Sequence, residues 1–476
     1  MKFTAHESFK TQVYFVSQGQ ELTMLDQEEE EYVRGVLSFE GKKGQIYQNF
    51  GPKGSQILLV GLGEESHLTA DDYVYAAYQA AKALNGVHIE SANIHLEVKG
   101  QVNNGQALQA VMEGFLQAEY RFDRYLTDKS SASLKVINVP EKVANLDQLV
   151  AEVEVLVEGI NHTRDLVNTP SNDQSPAQMA DQVKKLLEEV GVEVEVYDKA
   201  RIEAMGMKAL LAVNAGSVNE PRFLVMKYLP EGEDQKAIAL VGKGITYDSG
   251  GYALKPADSM LDMKDDMAAA AAVVGTLYAL AKNKVCKNVV GIAGLTENLV
   301  SATSYKNGDI IGSMKGTTIE VVNTDAEGRV TLADSLYYAA TRVNSECVVD
   351  LATLTGACLV ALGERTSAIM TNNRDLLVEL NQAASDSGEP IWELPMTEDL
   401  RQKVKGTNGD LLNSAGRFGG TITAGVFLEH FVEGKPWAHL DIAGPAFGEK
   451  SYRYLPQGAT GVPVKTLYRF VKNRIK

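Results

Sequence analysis

Asn323-Thr324-Asp325-Ala326-Glu327-Gly328-Arg329 sets two carboxylates and a guanidinium close together, directly after the β-branched run Thr318-Ile319-Glu320-Val321-Val322. Side chains alternate along an extended chain, so a backbone that stays extended here points Asp325, Glu327 and Arg329 to one side. That makes a compact group of two hard anionic oxygen donors and one permanent cation. The same heptapeptide also reads as a polar strand-to-helix turn, with Asp as cap and Arg as its ion-pair partner.

A second polar cluster lies upstream. The apolar run Ala237-Ile238-Ala239-Leu240-Val241 leads into Gly242-Lys243-Gly244-Ile245-Thr246-Tyr247-Asp248-Ser249-Gly250-Gly251. Glycines of this kind let backbone approach a ligand closely. A phosphate cradle is the rival reading, but the Walker spacing is missing and Asp248 would repel a phosphate. Lys255-Pro256 and Asp265-Asp266-Met267 follow, and then the alanine run that opens a helix. Carboxylates at a helix start cap amides and favour the dipole, so one of Asp265 and Asp266 can cap while the other ligates.

Asp248, Asp266, Asp325 and Glu327 then gather with Lys243 and Lys255 at the edge of one sheet. Several buried carboxylates within about 4–6 Å cannot all stay ionised without strong compensation. Metal cations supply it, and shared carboxylates hold two ions about 3.5–4 Å apart. None of the seven histidines falls in these motifs, which rules out a His-x-x-x-His zinc site.

The elements that must position these groups follow from periodicity. Residues 57–63 read as a buried strand ending in a turn, 70–84 as a helix and 87–98 as a strand. Gly61-Leu62-Gly63 lacks the third glycine of a dinucleotide fingerprint and is read as a plain turn. The polar segment 127–140 precedes a long amphipathic helix over 146–167, stopped by Asn168-Thr169-Pro170-Ser171-Asn172. Strands over 192–197, 223–228, 237–241, 288–295, 319–322 and 347–351 alternate with helices. The expected fold is α/β: a small amino-terminal α/β domain over 1–145 and a linking helix and loop over 146–172. A larger catalytic domain over 173–476 carries a mixed, mostly parallel sheet sandwiched between helices, with ligands at the strands' carboxyl ends.

With these residues in hand, the chain resembles the leucyl aminopeptidase (cytosol aminopeptidase) family of dinuclear metallopeptidases. The heptapeptide 323–329 is similar to the family signature, and 242–251 with Lys255-Pro256 and Met263-Lys264-Asp265-Asp266-Met267 resembles its other metal and catalytic segment. Asp350-Leu351-Ala352-Thr353-Leu354-Thr355-Gly356-Ala357, His439-Leu440-Asp441-Ile442-Ala443-Gly444 and Ala459-Thr460-Gly461 add to the match. The resemblance is specific over roughly 165–476 and architectural before that.

It implies two divalent ions per subunit, zinc or manganese, with magnesium as an alternative. Lys243, Asp248, Asp266 and Glu327 are expected to hold the tight ion. Asp248, Asp325 and Glu327, with the Asp325 main-chain carbonyl, are expected to hold the exchangeable one. Lys243 can ligate only as the neutral amine, although a free lysine keeps its proton up to about pH 10.4. Lys255 and Arg329 are the implied catalytic residues, the first stabilising an oxyanion and the second holding a bicarbonate ion that shuttles protons. Met263, Asn323, Thr353 and Leu354 are the implied substrate contacts. Gly416-Arg417-Phe418-Gly419-Gly420-Thr421 resembles a family segment near the site, with a plain glycine turn as the alternative. Tyr247, Ala268-Ala269-Ala270 and Val330-Thr331 depart from the family's common residues without touching a ligand position.

The implied reaction is removal of hydrophobic, leucine-like residues from peptide amino termini by a homo-oligomer, a hexamer in the family. A dinuclear hydrolase of another bond, such as a phosphoesterase, is the enzyme alternative. A net charge of −16 repels phosphate backbones and anionic lipid, which disfavours a nucleic-acid regulator. With 45% apolar and 23% charged residues and no long apolar tract or secretory signal, a cytoplasmic protein without membrane association is expected. Cys286, Cys347 and Cys358 lack Cys-x-x-Cys spacing and are expected to be buried structural thiols. The basic C-terminal stretch 465–476 is expected to be a docked helical segment.

Overall fold

The computed structural model describes residues 1–50, 56–100, 102–129, 131–139 and 145–475; Ser130 and Pro140 of the polar segment, and Lys476, lie outside them. By contacts the chain divides into two compact units, and the division falls inside the helix Leu146–Asn168, after Val157.

The first unit holds β1 (Lys2–Thr4), β2 (Thr11–Ser17), β3 (Ile46–Asn49), β4 (Gln56–Gly63), β5 (Ser91–His95) and β6 (Val136–Asn138). They form one sheet in the order β1-β6-β5-β2-β4-β3, parallel except for the β3 edge. The strand read over 87–98 is shorter, because Val87 is the C-cap of the preceding helix and His88 turns at a φ of 58° before β5 begins. Helices Ala70–Gly86 and Asn104–Gln117 pack on each other. A capping box on each, at Thr69/Asp72 and Asn103/Gln106, closes their first turns.

The second unit is built on β7 (Glu193–Tyr197), β8 (Arg222–Tyr228), β9 (Ala237–Asp248) and β10 (Val289–Asn298). Short β11 (Ile310–Ile311) and β12 (Ile319–Glu320) follow, then β13 (Ser345–Ala352), β14 (Ser367–Thr371), β15 (Ile391–Glu393), short β16 (Leu411–Leu412) and β17 (Trp437–Asp441). Eight of them make a mixed sheet ordered β15-β14-β17-β13-β9-β10-β8-β7. Its centre, β17-β13-β9-β10, is parallel throughout. Helix Glu327–Arg342 packs on one face, against a core that includes Ala239, Val241, Ile292 and Val348. Helix Ala268–Lys282 lies on the other, where a Cβ on Gly242 would stand 2.5 Å from the Ala270 Cα. The two central strands are therefore buried on both faces, as their unbroken apolar runs require.

Three expectations are corrected. The strand read as 319–322 is only Ile319–Glu320 and belongs to a separate small sheet, β11-β12-β16. The strand read as 237–241 runs on to Asp248, because Gly242 and Gly244 serve as close-packing positions inside the strand and not as its end. Cys286 is exposed, while Cys347 and Cys358 are buried. The C-terminal helix Val464–Lys472 does dock, packing on helices Arg374–Ser387 and Ala268–Lys282. Among the described residues no helix is long and apolar enough to cross a membrane.

Candidate metal centre

β9 brings two of the candidate ligands to the carboxyl end of the central sheet. Lys243 and Asp248 are separated by an odd interval, which in a regular strand turns them to opposite faces. A register shift against β10 removes the conflict: Ile245 pairs with Thr296 and Tyr247 with Glu297, so Thr246 is an extra residue. The bulge restores a common direction for Lys243 and Asp248.

The heptapeptide does not stay extended. Ala326 is the N-cap of helix Glu327–Arg342, so Glu327 and Arg329 project from its first turn while Asp325 sits in the preceding loop. That loop is fixed by the fully buried Asn413, which accepts from the Val322 and Asn323 amides and donates to the Asn323 carbonyl. Asn323 Oδ1 in turn accepts from the Asp325 amide at 2.9 Å. Asp266 follows the single turn Met263–Asp265, and Met267 is the N-cap of the next helix, without a side-chain cap bond. The expected capping role for an aspartate there is absent because the Asp266 carboxylate turns inward.

The inward groups form two interlocked clusters. Lys243 Nζ lies 2.7 Å from Asp266 Oδ1 and 2.9 Å from Glu327 Oε1, and donates to the Thr353 carbonyl at 3.0 Å. Thr353 Oγ1 donates to Asp266 Oδ1 at 2.9 Å. Lys255 Nζ lies 2.8 Å from Asp248 Oδ2 and also pairs with Asp325 Oδ1. Asp248, Asp325 and Glu327 each offer an oxygen within 4.8 Å of the others. Lys243, Asp248, Asp266 and Glu327 are buried; Lys255 and Asp325 are partly open to solvent.

Burial and the Glu327 charge push the Asp248 carboxyl up to about 6, against the pull of Lys255 and Lys243. Burial likewise raises Asp266 well above the ordinary carboxylate range, although Lys243 opposes it. Burial acts to lower Lys243, but Asp266, Glu327 and Asp248 outweigh it and hold the ammonium protonated. So two lysines do not neutralise four carboxylates. Among the described residues, Asp266 Oδ2 and Glu327 Oε2 are buried acceptors with no hydrogen-bond partner. Buried carboxylate oxygens left unpaired beside other carboxylates suit a hard or borderline divalent cation, and the residues fit one.

Arg329 stands in the first turn of its helix, where the dipole disfavours a cation. Burial lowers its guanidinium to about 10, with Glu327 and Asp441 opposing, and its Nε has no partner among the described residues. A buried, unsatisfied guanidinium nitrogen beside helix amides fits a small anion. Leu354 and Thr355 are tied to the buried Asp441, whose Oδ1 accepts from the Leu354 amide and Oδ2 from Thr355 Oγ1. Thr421, from the glycine-rich 416–421 segment, lies 2.8 Å from Thr355 through their hydroxyls. Met263 is half-buried in the turn before Asp266.

Sequence reading passed over Asn298 and gave no role to Asp441, Asn413, His439 or Asp350. His439 Nδ1 lies 2.6 Å from Asp350 Oδ1, and Trp437 Nε1 donates to Asp350 Oδ2 at 2.6 Å, all three fully buried. A polar Glu297-Asn298 pair closing an apolar strand was the available signal for Asn298.

Carboxylates and lysines gathered at the carboxyl end of a helix-covered α/β sheet form a candidate divalent-cation site of the kind that metal-dependent hydrolases use. The sequence model of the cytosol aminopeptidase family, catalytic domain, matches residues 161–468, and that of the family's N-terminal domain matches 31–129. A probable cytosol aminopeptidase of Clostridium tetani is 43% identical over 445 residues, covering 93% of this chain and 92% of that one. One of Aquifex aeolicus is 41% identical over 448 residues, covering 92% and 89%. Among solved structures, the bottromycin maturation enzyme BotP in complex with Mn is similar at a TM-score of 0.88 and 33% identity, covering 98% and 99%. A tomato leucine aminopeptidase mutant is similar at 0.90 and 31%, covering 99% and 96%. The chain belongs to the cytosol aminopeptidase family and is a metal-dependent aminopeptidase.

Proposed function

We propose that this enzyme uses two divalent ions to remove hydrophobic, leucine-like residues from the amino termini of peptides in the cytoplasm. The observation that carries the reading is the pair of interlocked clusters, in which Asp266 Oδ2 and Glu327 Oε2 stay unpartnered despite two adjacent ammonium groups. Lys243, Asp248, Asp266 and Glu327 would hold the tight ion. Asp248, Asp325 through side chain and main-chain carbonyl, and Glu327 would hold the exchangeable one. Zinc or manganese suits this set, with magnesium as the harder alternative. When bound, such a pair lowers the pKa of a shared water and polarises the scissile carbonyl.

The chain's own groups supply the rest. Lys243 ligates only after losing its proton, so loading at this position releases one to solvent. Lys255 keeps its proton: burial acts downward, but Asp248, Glu327 and Asp266 raise it further. Its ammonium, partly open toward solvent, stabilises the oxyanion of the tetrahedral intermediate. Arg329 holds a bicarbonate ion on its unsatisfied face. Met263, Thr353 and Leu354 line the pocket for the first side chain, and Asn323 is a further substrate contact. The working form is a homo-oligomer, a hexamer, acting on peptides and not on nucleic acid.

Hydrolysis of leucyl-p-nitroanilide with added manganese or zinc tests the reading. Turnover that chelation abolishes is expected, and no turnover with any divalent metal overturns it. Cleavage of phosphate esters in place of peptides would assign the centre to the rival chemistry.

A further inference from the structure

Asn298 closes β10 directly beside Asp248 in the parallel ladder, and no part of it is solvent-exposed. Its Nδ2 donates to Asp248 Oδ1 at 2.8 Å and to the Thr324 carbonyl at 3.0 Å. A carboxylate oxygen and a main-chain carbonyl only accept here, so the amide's NH₂ must face both, which fixes its orientation. The Asn298 carbonyl meanwhile accepts from the Ser249 amide at 2.9 Å and from Ser249 Oγ at 2.8 Å. One residue thus grips both ligand-bearing segments, 248–249 on one side and 324 on the other.

The other half of the amide is left without a partner. Asn298 Oδ1 is buried and unsatisfied, and a Cβ on Gly251 would come within 2.9 Å of it. A buried orphan acceptor is destabilising, so packing alone is better served by an isosteric apolar side chain. What an apolar side chain cannot do is donate to Asp248. Each acceptor has a second donor, Tyr305 Oη at 3.0 Å for the Thr324 carbonyl and the Gly250 amide at 2.8 Å for Asp248 Oδ1; the Gly250 amide lies in the turn that follows Asp248, so Asn298 is the donor that ties this carboxylate to the neighbouring strand.

We propose that Asn298 is a positioning residue that holds the Asp248 carboxylate in the rotamer needed for ligation and so sets the affinity of the centre for divalent cations. The inference rests on the two-metal reading above, with Asp248 shared by both ions. Fixing a ligand's orientation by a hydrogen bond from behind is worth about 10- to 100-fold in metal affinity.

The test is Mn²⁺ binding by calorimetry to the full chain, with the thermal unfolding of the chelator-treated protein as a check of folding. Asn298→Leu keeps the branched shape and removes the donor, and Asn298→Ala serves if the leucine variant does not fold. Tyr305→Phe removes the other bond to Thr324 and leaves the one to Asp248. Expected is Mn²⁺ affinity weakened at least about tenfold at both equivalents in the Asn298 variant, with Tyr305→Phe within about threefold of wild type. A folded Asn298 variant with less than tenfold loss overturns the proposal. So does an equal loss in Tyr305→Phe, which would assign the effect to the Thr324 loop. Failure of the wild type to bind Mn²⁺ at all would instead overturn the two-metal reading.

Discussion

Gly328 lies against Lys243: a Cβ on Gly328 would stand 2.4 Å from Lys243 Cε and 2.6 Å from its Nζ. Alanine favours a helix over glycine, yet here the helix must leave room for a lysine rising from the sheet beneath it. Lys243 cannot swing aside freely, because Asp266, Glu327 and the Thr353 carbonyl hold its ammonium. Gly328→Ala is therefore expected to cost about 1–3 kcal/mol of stability by overpacking and to displace a ligand. Urea unfolding together with Mn²⁺ titration checks this, and a variant matching wild type in both would contradict it.

Lys255 offers a separation of chemistry from metal loading. Lys255→Ala is expected to retain both ions while kcat falls by roughly 10²–10³, the usual size of a lost oxyanion donor. Metal content by mass spectrometry and steady-state kinetics on leucyl-p-nitroanilide are the two measurements. Unchanged kcat rules out the oxyanion role.

Removing the metals should act on stability as well as on rate. Chelation is expected to abolish turnover, and manganese or zinc to restore it. At free metal about 100 times Kd, binding to one site adds about 2.7 kcal/mol to the folded state. A melting temperature insensitive to chelator would mean that no ion is bound in the folded protein.

The buried His439–Asp350 pair predicts a pH dependence away from the metal ligands. Burial acts to lower the imidazole, but Asp350 at 2.6 Å and the Asp441 charge outweigh it and raise it above its ordinary 6.5. A base whose pKa is higher folded than unfolded contributes stability that is complete below the unfolded value and is lost as pH rises through the folded one. In chelator-treated protein, the stability advantage of wild type over Asp350→Asn should therefore shrink as pH rises from the ordinary imidazole range upward through the raised folded value. An advantage that grows over this range would show that the imidazole is neutral when folded.

Much of this was legible in the sequence because ligand chemistry is written in residue type. Carboxylates and lysines beside apolar runs pointed to one sheet edge, and Lys243, Asp248, Asp266, Asp325 and Glu327 do meet there. Backbone shape was less legible. Gly242 and Gly244 look like a turn in one dimension, since the groups that need their missing side chains lie far along the chain, at Ala270 of a covering helix for Gly242 and at Gly294 and Leu295 of β10 for Gly244. Likewise the heptapeptide reads as extended chain or as a strand-to-helix turn, and it is the turn, with Ala326 and not an aspartate at the N-cap of the helix that begins at Glu327. Asn298 escaped notice because a single amide gains its meaning only from what stands across the ladder.

The extra residue at Thr246 bears on any attempt to move this centre onto another scaffold. Copying the five proposed ligands at their sequence intervals onto a regular parallel strand would aim Lys243 and Asp248 at opposite sides of the graft. Deleting or inserting one residue between them in the native chain would do the same. The transplantable unit is thus the irregular strand with its glycines, and a designer who idealised it would discard the feature that makes the ligands converge.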